Sequence, residues 1–213
     1  MATNTKTTAL LSSTTGEVKS LWSHLTEPDT HFDNVGWYKI TFVTDEPTGI
    51  QLNSQLEKLH NQAKQDYISA GKDVRSENKS GGKKVDNEDG TVHYEFTAKM
   101  RPYFMSKKDG KKIINRPQIV GADLKPYTLD QEIPRGSTIK VNFKVVPYCT
   151  ALAMGLTMRL GGVQVINLAD TAFSSDHGFT VVEEGNAVSQ STGNTTPDVS
   201  GNTQTETASA ADF

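Results

Sequence analysis

GSTIKVNFKVVPY, residues 136–148, carries the clearest strand pattern in this chain. Its apolar residues alternate with polar ones, which is the pattern of a strand with one buried side and one solvent-facing side. Because lysines stand at outward positions, this strand also presents a basic side to solvent. The inward positions are Ile139, Val141, Phe143 and Val145, and the outward positions are Lys140, Asn142 and Lys144.

Comparable patterns occur on both sides of this stretch. TVHYEFTAKM, residues 91–100, and GWYKITFVT, residues 36–44, alternate and are rich in β-branched and aromatic residues, which favours strands. ALAMGLTMRLGGVQVINLAD, residues 151–170, predicts two further strands joined at Gly161-Gly162. Asp109-Gly110 stands between lysine pairs and predicts a two-residue hairpin turn.

One helix is predicted, over residues 50–70, where leucines and alanines recur at helical spacing and Gly71 supplies a stop. Residues 1–34 are predicted to form loops and short strands, and residues 77–90 a polar loop. Roughly six or seven strands without strand–helix alternation favour a mainly β fold. We therefore predict a closed antiparallel barrel with one appended helix, because closure removes exposed strand edges. The pattern alone does not separate an OB barrel from other small barrels.

Charge is distributed unevenly along the chain. All 22 Lys and Arg residues lie in residues 1–159 together with 18 acidic residues, whereas residues 160–213 hold seven acidic residues and no Lys or Arg. From about Gly185 the chain is mostly Ser, Thr, Asn, Gly and Ala, and it cannot bury enough surface to offset its ordering entropy. We predict a folded domain over residues 1–184 and a disordered acidic tail over residues 185–213.

Several classes of site are absent from the sequence pattern. A single cysteine, Cys149, excludes an intrachain disulfide and is typical of a reducing compartment. No apolar run is long enough for a bilayer, and the N-terminus lacks the apolar core of a secretory signal. Neither zinc-ligand spacing nor a phosphate-binding glycine motif is present. We therefore expect a cytoplasmic protein without a cofactor.

The strongest chemical signal is a basic region between Lys99 and Lys144. It contains eleven basic residues against four acidic ones, and aromatic residues are interleaved with them. Cations follow the phosphates of a single nucleic-acid strand, while aromatic rings stack on bases of any identity. The sequence therefore predicts a groove for single-stranded nucleic acid. The candidate contact residues in this region and just after it are Lys99, Arg101, Tyr103, Lys107, Lys108, Lys111, Lys112, Arg116, Tyr127, Lys140, Lys144 and Tyr148.

Simpler interpretations stay open for parts of this signal. For any one lysine, a solvated surface position is the simpler account, and the cations from Lys107 to Lys112 would also serve to solubilise a hairpin tip. A structural or adaptor protein of a virion could use the same kind of barrel. A nuclease could use Asp86, Glu88 and Asp89 with a divalent ion, but a flexible loop before a strand is a poor metal cage. We therefore do not expect an enzyme.

The C-terminus carries a second signal, Asp212-Phe213. An aromatic ring beside two carboxylates is typical of a docking peptide, with one apolar anchor and anionic flanks for Lys or Arg. The same tail could occupy the basic groove until a nucleic acid displaces it. We predict Asp212 and Phe213 as partner-docking residues.

Several motifs together resemble one family. GSTIKVNFKVVPY and the strands after it resemble the closing strands of the single-stranded DNA-binding proteins of short-tailed bacteriophages. NEDGTVHYEFTAKM, residues 87–100, resembles their Asp-Gly-Thr strand entry, and FDNVGWYKITF, residues 32–42, resembles their opening strand, which a helix likewise follows. The terminal Asp-Phe matches too. The resemblance covers most of residues 5–173 and the last two residues.

The resemblance implies an OB fold that coats single-stranded DNA during phage replication, recombination and repair in the cytoplasm of an infected bacterium. It implies that Phe213 helps contact the phage DNA polymerase and helicase-primase, and it raises the possibility of a homodimer. Carried over by position, Tyr148 is a stacking residue, and Lys39 and the Lys107–Lys112 hairpin are phosphate contacts. The tail departs from the family pattern, because it is rich in Ser and Thr instead of densely acidic.

Overall fold

The computed structural model of the protein describes residues 9–78, 81–106 and 108–169. Within that part of the chain, ten strands and one helix are formed. In chain order they are β1 Leu11–Thr14, β2 Val18–Asp29, β3 Trp37–Asp45, α1 Glu46–Ser69, β4 Lys83–Asp86, β5 Val92–Met100, β6 Tyr103–Met105, β7 Lys112–Ile114, β8 Gln118–Val120, β9 Thr138–Cys149 and β10 Met154–Asn167.

Five of these strands close a barrel. The pairing runs β9–β2–β3–β5–β10 and returns from β10 to β9. β5 and β10 run parallel, and the other neighbours run antiparallel. Counted along the barrel strands alone, the spatial order is one-two-three-five-four, the Greek-key order of an OB fold. The predicted closed barrel with one appended helix is thus confirmed, although one of its pairs, β5–β10, is parallel instead of antiparallel.

The remaining strands extend this barrel at its edges. β1 pairs with β9, β4 with β5, and β8 with β10. β6 and β7 form a separate two-stranded hairpin.

Side chains from all five barrel strands fill its interior. The inward residues predicted for β9, such as Val141 and Phe143, are buried, and their outward neighbours are not. Phe42 of β3 stacks on Phe96 of β5 with ring centroids 5.8 Å apart. Each large apolar side chain buried in this way contributes about 1.5–3 kcal/mol. The outer faces of the same strands are therefore fixed in place for whatever they bind.

The helix begins four residues earlier than its apolar spacing predicts. Asp45 caps α1 by accepting a hydrogen bond from the Thr48 N–H at 3.2 Å, and Pro47 stands in the first turn. Proline suits that position because its missing N–H would have no helical partner there. Pro47 therefore favours the first turn of α1, which begins at Glu46. Leu56 is buried against the barrel, so α1 covers one side of it.

Three sequence predictions about strands are wrong. Residues 18–29 form the long strand β2 where loops and short strands were expected, because shifts in its register to β3 break the alternation of apolar residues. β4 lies inside the predicted polar loop and pairs with β5. The chain accordingly has more strands than the six or seven predicted.

Two predicted turns also differ from the structure. β10 is one continuous strand, because Gly161 is an extra residue in a bulge opposite β9 and does not join two strands. The predicted hairpin is present as β6 and β7, but its connection covers residues 106–111 instead of two residues, with Gly110 at a φ of 68°.

Two further sequence predictions concern membrane-spanning segments and the C-terminal tail. Within the described residues, α1 lacks the apolar length that a membrane-spanning helix needs. The predicted tail, residues 185–213, lies outside the described residues, so its boundary at residue 184 stays a prediction.

Candidate nucleic-acid interface

A groove of about 810 Å³ crosses the outer face of the barrel. Its floor and walls come from β3, β5 and β10, from the end of β9, and from α1 with the residues that follow it. The side chains that matter below are Trp37, Thr41, Leu56, Thr97, Lys99, Tyr148 and Thr157.

Three threonines form the floor of the groove. Thr41 of β3 pairs with Thr97 of β5, and their hydroxyl groups are hydrogen-bonded at 2.8 Å. Thr157 precedes Arg159 by two residues, as Thr97 precedes Lys99, so the parallel pairing of β10 with β5 brings Thr157 to the same level. These small side chains keep the floor low, and the charged side chains of Glu95 and Lys83 also line the groove.

A row of cations runs beside the threonine floor. Lys39, Lys99 and Arg159 are each two residues from one of the three threonines, on the same outward side of the strand. Strand register places Lys144 of β9 opposite Arg159 of β10, Arg159 opposite Lys99 of β5, and Lys99 opposite Lys39 of β3. We call these four residues the cationic row. Like charges directly opposite on neighbouring strands are destabilising, so the row is a cost to the fold that an anionic partner would relieve.

The members of the cationic row differ in their partners. Lys39 is paired with Asp29 of β2, and this hydrogen bond lowers the pKa of Asp29 to about 2. Lys99, Arg159 and Lys144 are exposed and make no ion pair with any of the described residues. Three neighbouring strands therefore offer three adjacent cations to solvent.

Trp37 lies where the groove meets the loop of residues 30–36. The guanidinium carbon of Arg101 is 3.8 Å from its ring centroid, and the ammonium nitrogen of Lys99 is 4.8 Å from it. Arg101 also donates to both carboxylate oxygens of Asp33, at 2.6 and 2.8 Å, and this lowers the pKa of Asp33. The indole is thus held by cations and still lines the groove.

The β6–β7 hairpin carries a second group of predicted contacts. Lys112 places its ammonium nitrogen 4.0 Å from the ring centroid of Tyr103. Lys108 and Lys111 are exposed near the turn, and Arg116 is exposed just before β8. Lys107 lies outside the described residues, as do Asp212 and Phe213. These predictions stay untested.

Two other predicted residues are not brought to the groove. Tyr127 lines a separate cavity of about 190 Å³ with residues 128–132. Lys140 lies four residues before Lys144 on β9, and its ammonium nitrogen is 3.7 Å from a carboxylate oxygen of Glu17. The structure therefore gathers Lys39, Lys99, Arg101, Lys144 and Tyr148 around one surface, whereas Tyr127 and Lys140 do not line the groove.

Sequence reasoning missed Arg159 and did not assign Trp37 as a contact. Arg159 alternates with the buried Met158 and Leu160, so its outward position was readable from the sequence. Its position between Lys144 and Lys99 was not, because that depends on pairing between strands far apart in the chain.

The carboxylates considered for a metal site have ordinary structural partners. Asp86 lies 3.1 Å from the ammonium nitrogen of Lys84, and Asp89 accepts hydrogen bonds from the backbone and hydroxyl of Thr91. Across residues 9–78, 81–106 and 108–169, no three His, Cys, Asp or Glu side chains are grouped as metal ligands.

The architecture and the groove together define the class of the protein. An OB barrel uses the face of its second and third strands, here β3 and β5, to bind oligonucleotides or oligosaccharides. Residues 21–168 match the family model described as single-stranded DNA-binding protein, bacteriophage T7. The chain belongs to this family, and the family resemblance noted in the sequence is confirmed.

Solved structures of two phage proteins share the fold. The gp2.5 single-stranded DNA-binding protein of bacteriophage T7 is 23% identical, with a TM-score of 0.59 over 76% of this chain and 96% of that one. The single-stranded DNA-binding protein of bacteriophage Enc34, in complex with single-stranded DNA, is 12% identical, with a TM-score of 0.51 over 78% of this chain and 98% of that one. Comparison with curated protein sequences finds no match.

Proposed function

We propose that this protein coats single-stranded DNA without sequence preference, with the strand lying along the threonine floor and its phosphates on the cationic row. The observation that carries the proposal is that Lys99, Arg159 and Lys144 stand adjacent and exposed beside the groove, with no acidic partner among the residues that the structure describes. An unpaired strand matches this surface, because it supplies a line of negative charge together with unstacked bases.

Two aromatic rings at the groove supply the contacts to bases. Trp37 and Tyr148 line its walls, and stacking on such rings accepts any base because every base has a flat π face. Duplex DNA keeps its bases paired and stacked, so it gains nothing from these rings. The preference for single strands therefore rests on Trp37 and Tyr148, and the sensitivity to salt rests on the cationic row.

The test is a titration of tryptophan fluorescence with oligo-dT and with duplex DNA at two salt concentrations. A Trp22→Phe variant isolates the signal of Trp37. We expect oligo-dT to quench Trp37, with affinity falling as salt rises at a logarithmic slope of roughly −0.7 per phosphate contacted. Equal affinity for duplex DNA, or no salt dependence, would contradict the proposal.

The proposed function also includes a role in the infected cell and contacts with other proteins. We propose that it acts in phage DNA replication, recombination and repair inside the infected bacterium, that its C-terminal residues dock the phage DNA polymerase and helicase-primase, and that it forms a homodimer. The support is family membership together with the acidic composition of residues 160–213 and the terminal Asp212-Phe213.

Deleting residues 185–213 tests the tail. Affinity for oligo-dT should rise, because the tail acids no longer compete for the basic groove, and binding to the phage polymerase should be lost. Unchanged DNA affinity would remove the competition, and retained polymerase binding would remove the docking role. Sedimentation of both forms at several concentrations measures self-association, and a full-length protein that stays monomeric throughout would remove the homodimer.

A further inference from the structure

The ring of Tyr148 lies across its cross-strand neighbour, Gly155 of β10. Strand register pairs these two residues, and a Cβ atom added at position 155 would fall 2.7 Å from the Tyr148 hydroxyl oxygen and 2.9 Å from Cζ. Distances below 3.0 Å are too short for any real Cβ atom. Residue 155 is therefore open enough for the ring to rest on the sheet only because it is glycine.

The hydroxyl group of Tyr148 is held from the other side. Asn78 donates a hydrogen bond from Nδ2 to the Tyr148 oxygen at 2.7 Å. A phenol that rests on glycine and is bound at its tip has little freedom to rotate out of the groove. Holding a ring before a base arrives reduces the ordering cost of binding.

Asn78 belongs to a short segment that is itself fixed to the barrel, residues 76–78, which we call the strap. The Asn78 N–H donates to the Met154 carbonyl at 2.8 Å, and the Met154 N–H donates to the Ser76 carbonyl at 3.0 Å. The Ser76 hydroxyl donates to the Leu152 carbonyl at 2.8 Å. The strap is thus bound to the beginning of β10, directly beside Gly155.

The strap is also fixed to the helix. The Glu77 carboxylate lies 2.9 Å from His60 Nε2 and 2.6 Å from the Lys64 ammonium nitrogen, both on α1. The strap therefore joins α1 to the edge of the groove, with Asn78 pointing at Tyr148. The contacts proposed with DNA do not involve the strap.

We infer that Asn78 and Gly155 are positioning residues that hold Tyr148 as a preformed stacking platform for a base of single-stranded DNA. This inference rests on the proposed function of the groove. It assigns the strap a part in DNA binding although no residue of the strap needs to touch the strand.

A double-mutant cycle tests it, with full-length protein and oligo-dT. Asn78→Ala removes the donor, Tyr148→Phe removes the acceptor, and each should weaken binding roughly two- to tenfold, the range of one hydrogen bond. Combining them should cost no more than either alone, because both remove the same bond. The salt slope should stay unchanged, since the phosphate contacts are intact.

Further variants distinguish failure of this inference from failure of the proposed stacking on Tyr148. Asn61→Ala, at an exposed asparagine of α1, is the matched control and should bind as the wild type does. Gly155→Ala should weaken binding at least as much as Asn78→Ala, because the ring must move. Wild-type affinity in Tyr148→Phe, or multiplying effects in the double variant, would overturn the inference. If Tyr148→Ala also binds normally, the stacking part of the proposed function fails as well.

Discussion

Two groups of cations lie on the same outer face of this barrel and differ in what holds them. Lys39 and Arg101 are each bound by a carboxylate, Asp29 and Asp33 respectively, in or next to the loop of residues 30–36. Lys99, Arg159 and Lys144 face solvent with no such partner among the described residues. A count of charges along the chain does not distinguish these five cations. The structure shows which of them have a carboxylate partner and which can bind a phosphate directly.

Pairing with a carboxylate gives the two groups of cations different roles. A cation paired with an acid fixes a loop and must lose that partner before it can bind a phosphate. A cation without an acid is ready to bind, and its repulsion from its neighbours falls when the phosphate arrives. We therefore expect the unpaired group to dominate affinity and the paired group to shape the end of the groove.

The largest effect should come from removing two unpaired cations together, in Lys99→Gln with Arg159→Gln. Affinity for oligo-dT should fall on the order of tenfold for each residue, since each contributes a charge-assisted contact. The salt slope should shrink by roughly 1.4, or 0.7 for each lost phosphate contact. Lys125→Gln is the control, because Lys125 is exposed and paired with Asp123 at 3.0 Å, outside the groove. An unchanged slope in the double variant would remove the cationic row from the DNA path.

A smaller effect, of opposite sign, should follow Asp33→Asn. This change frees Arg101 from its carboxylate, so affinity should rise roughly two- to fivefold, within the range of one modest electrostatic contact. The salt slope should steepen by roughly 0.7 if Arg101 then meets a phosphate. Titration of Asp33→Asn with and without Arg101→Gln measures this. A gain that survives the loss of Arg101 would contradict the explanation.

The smallest effect is on the stability of the fold at low pH, to which the ion pair between Lys39 and Asp29 contributes. The pKa of Asp29 is lowered to about 2 from an ordinary 3.8, chiefly by the hydrogen bond from Lys39. A lowered carboxyl pKa stabilises the fold at pH values above the unfolded-state pKa, and this contribution is lost as pH falls through the folded-state value. The stability difference between the wild type and Asp29→Asn should thus be constant above about pH 5 and shrink towards pH 2.

Carboxyl chemical shifts followed by NMR check this pair directly. Asp29 should titrate well below the exposed carboxylates of the chain, and it should return towards the ordinary value in Lys39→Gln. A midpoint near 3.8 in the wild type would show that the pair is open in solution, and the contrast between paired and unpaired cations would then disappear at this position.

The sequence predicted those parts of the fold in which local alternation is clean. In β9 and β5 the predicted inward and outward residues match the structure, because each strand has one side in the core. Lys99 was found from this alternation, whereas Tyr148 was found from the family resemblance. β2 was missed because its register shifts put Ser20 and Leu21, which are neighbours in sequence, both in the interior. A bulge cannot be read from composition, since it depends on the partner strand.

The sequence predicted a basic surface but not which residues form it. The basic region between Lys99 and Lys144 was visible as charge, yet Tyr127 and Lys140 lie away from the groove that Lys99 lines. Arg159 was overlooked because it stands outside that region in sequence and meets Lys99 and Lys144 only through strand pairing. Non-local register, which no single segment encodes, determines which cations become neighbours.

The bulge at Gly161 has a consequence for the core side of β10. Leu160 and Val163 are three residues apart, an odd step that would point them to opposite sides of a regular strand, yet both are buried, at 1% and 2% exposure. The additional residue opposite Asn142 corrects this parity. One half of β10 therefore pairs with β5 and the other half pairs with β8. In both halves the apolar side chains face the core. Arg159 stands before the bulge and points outward by ordinary alternation between Met158 and Leu160, whereas Val163 beyond it returns to the core only because Gly161 shifts the phase.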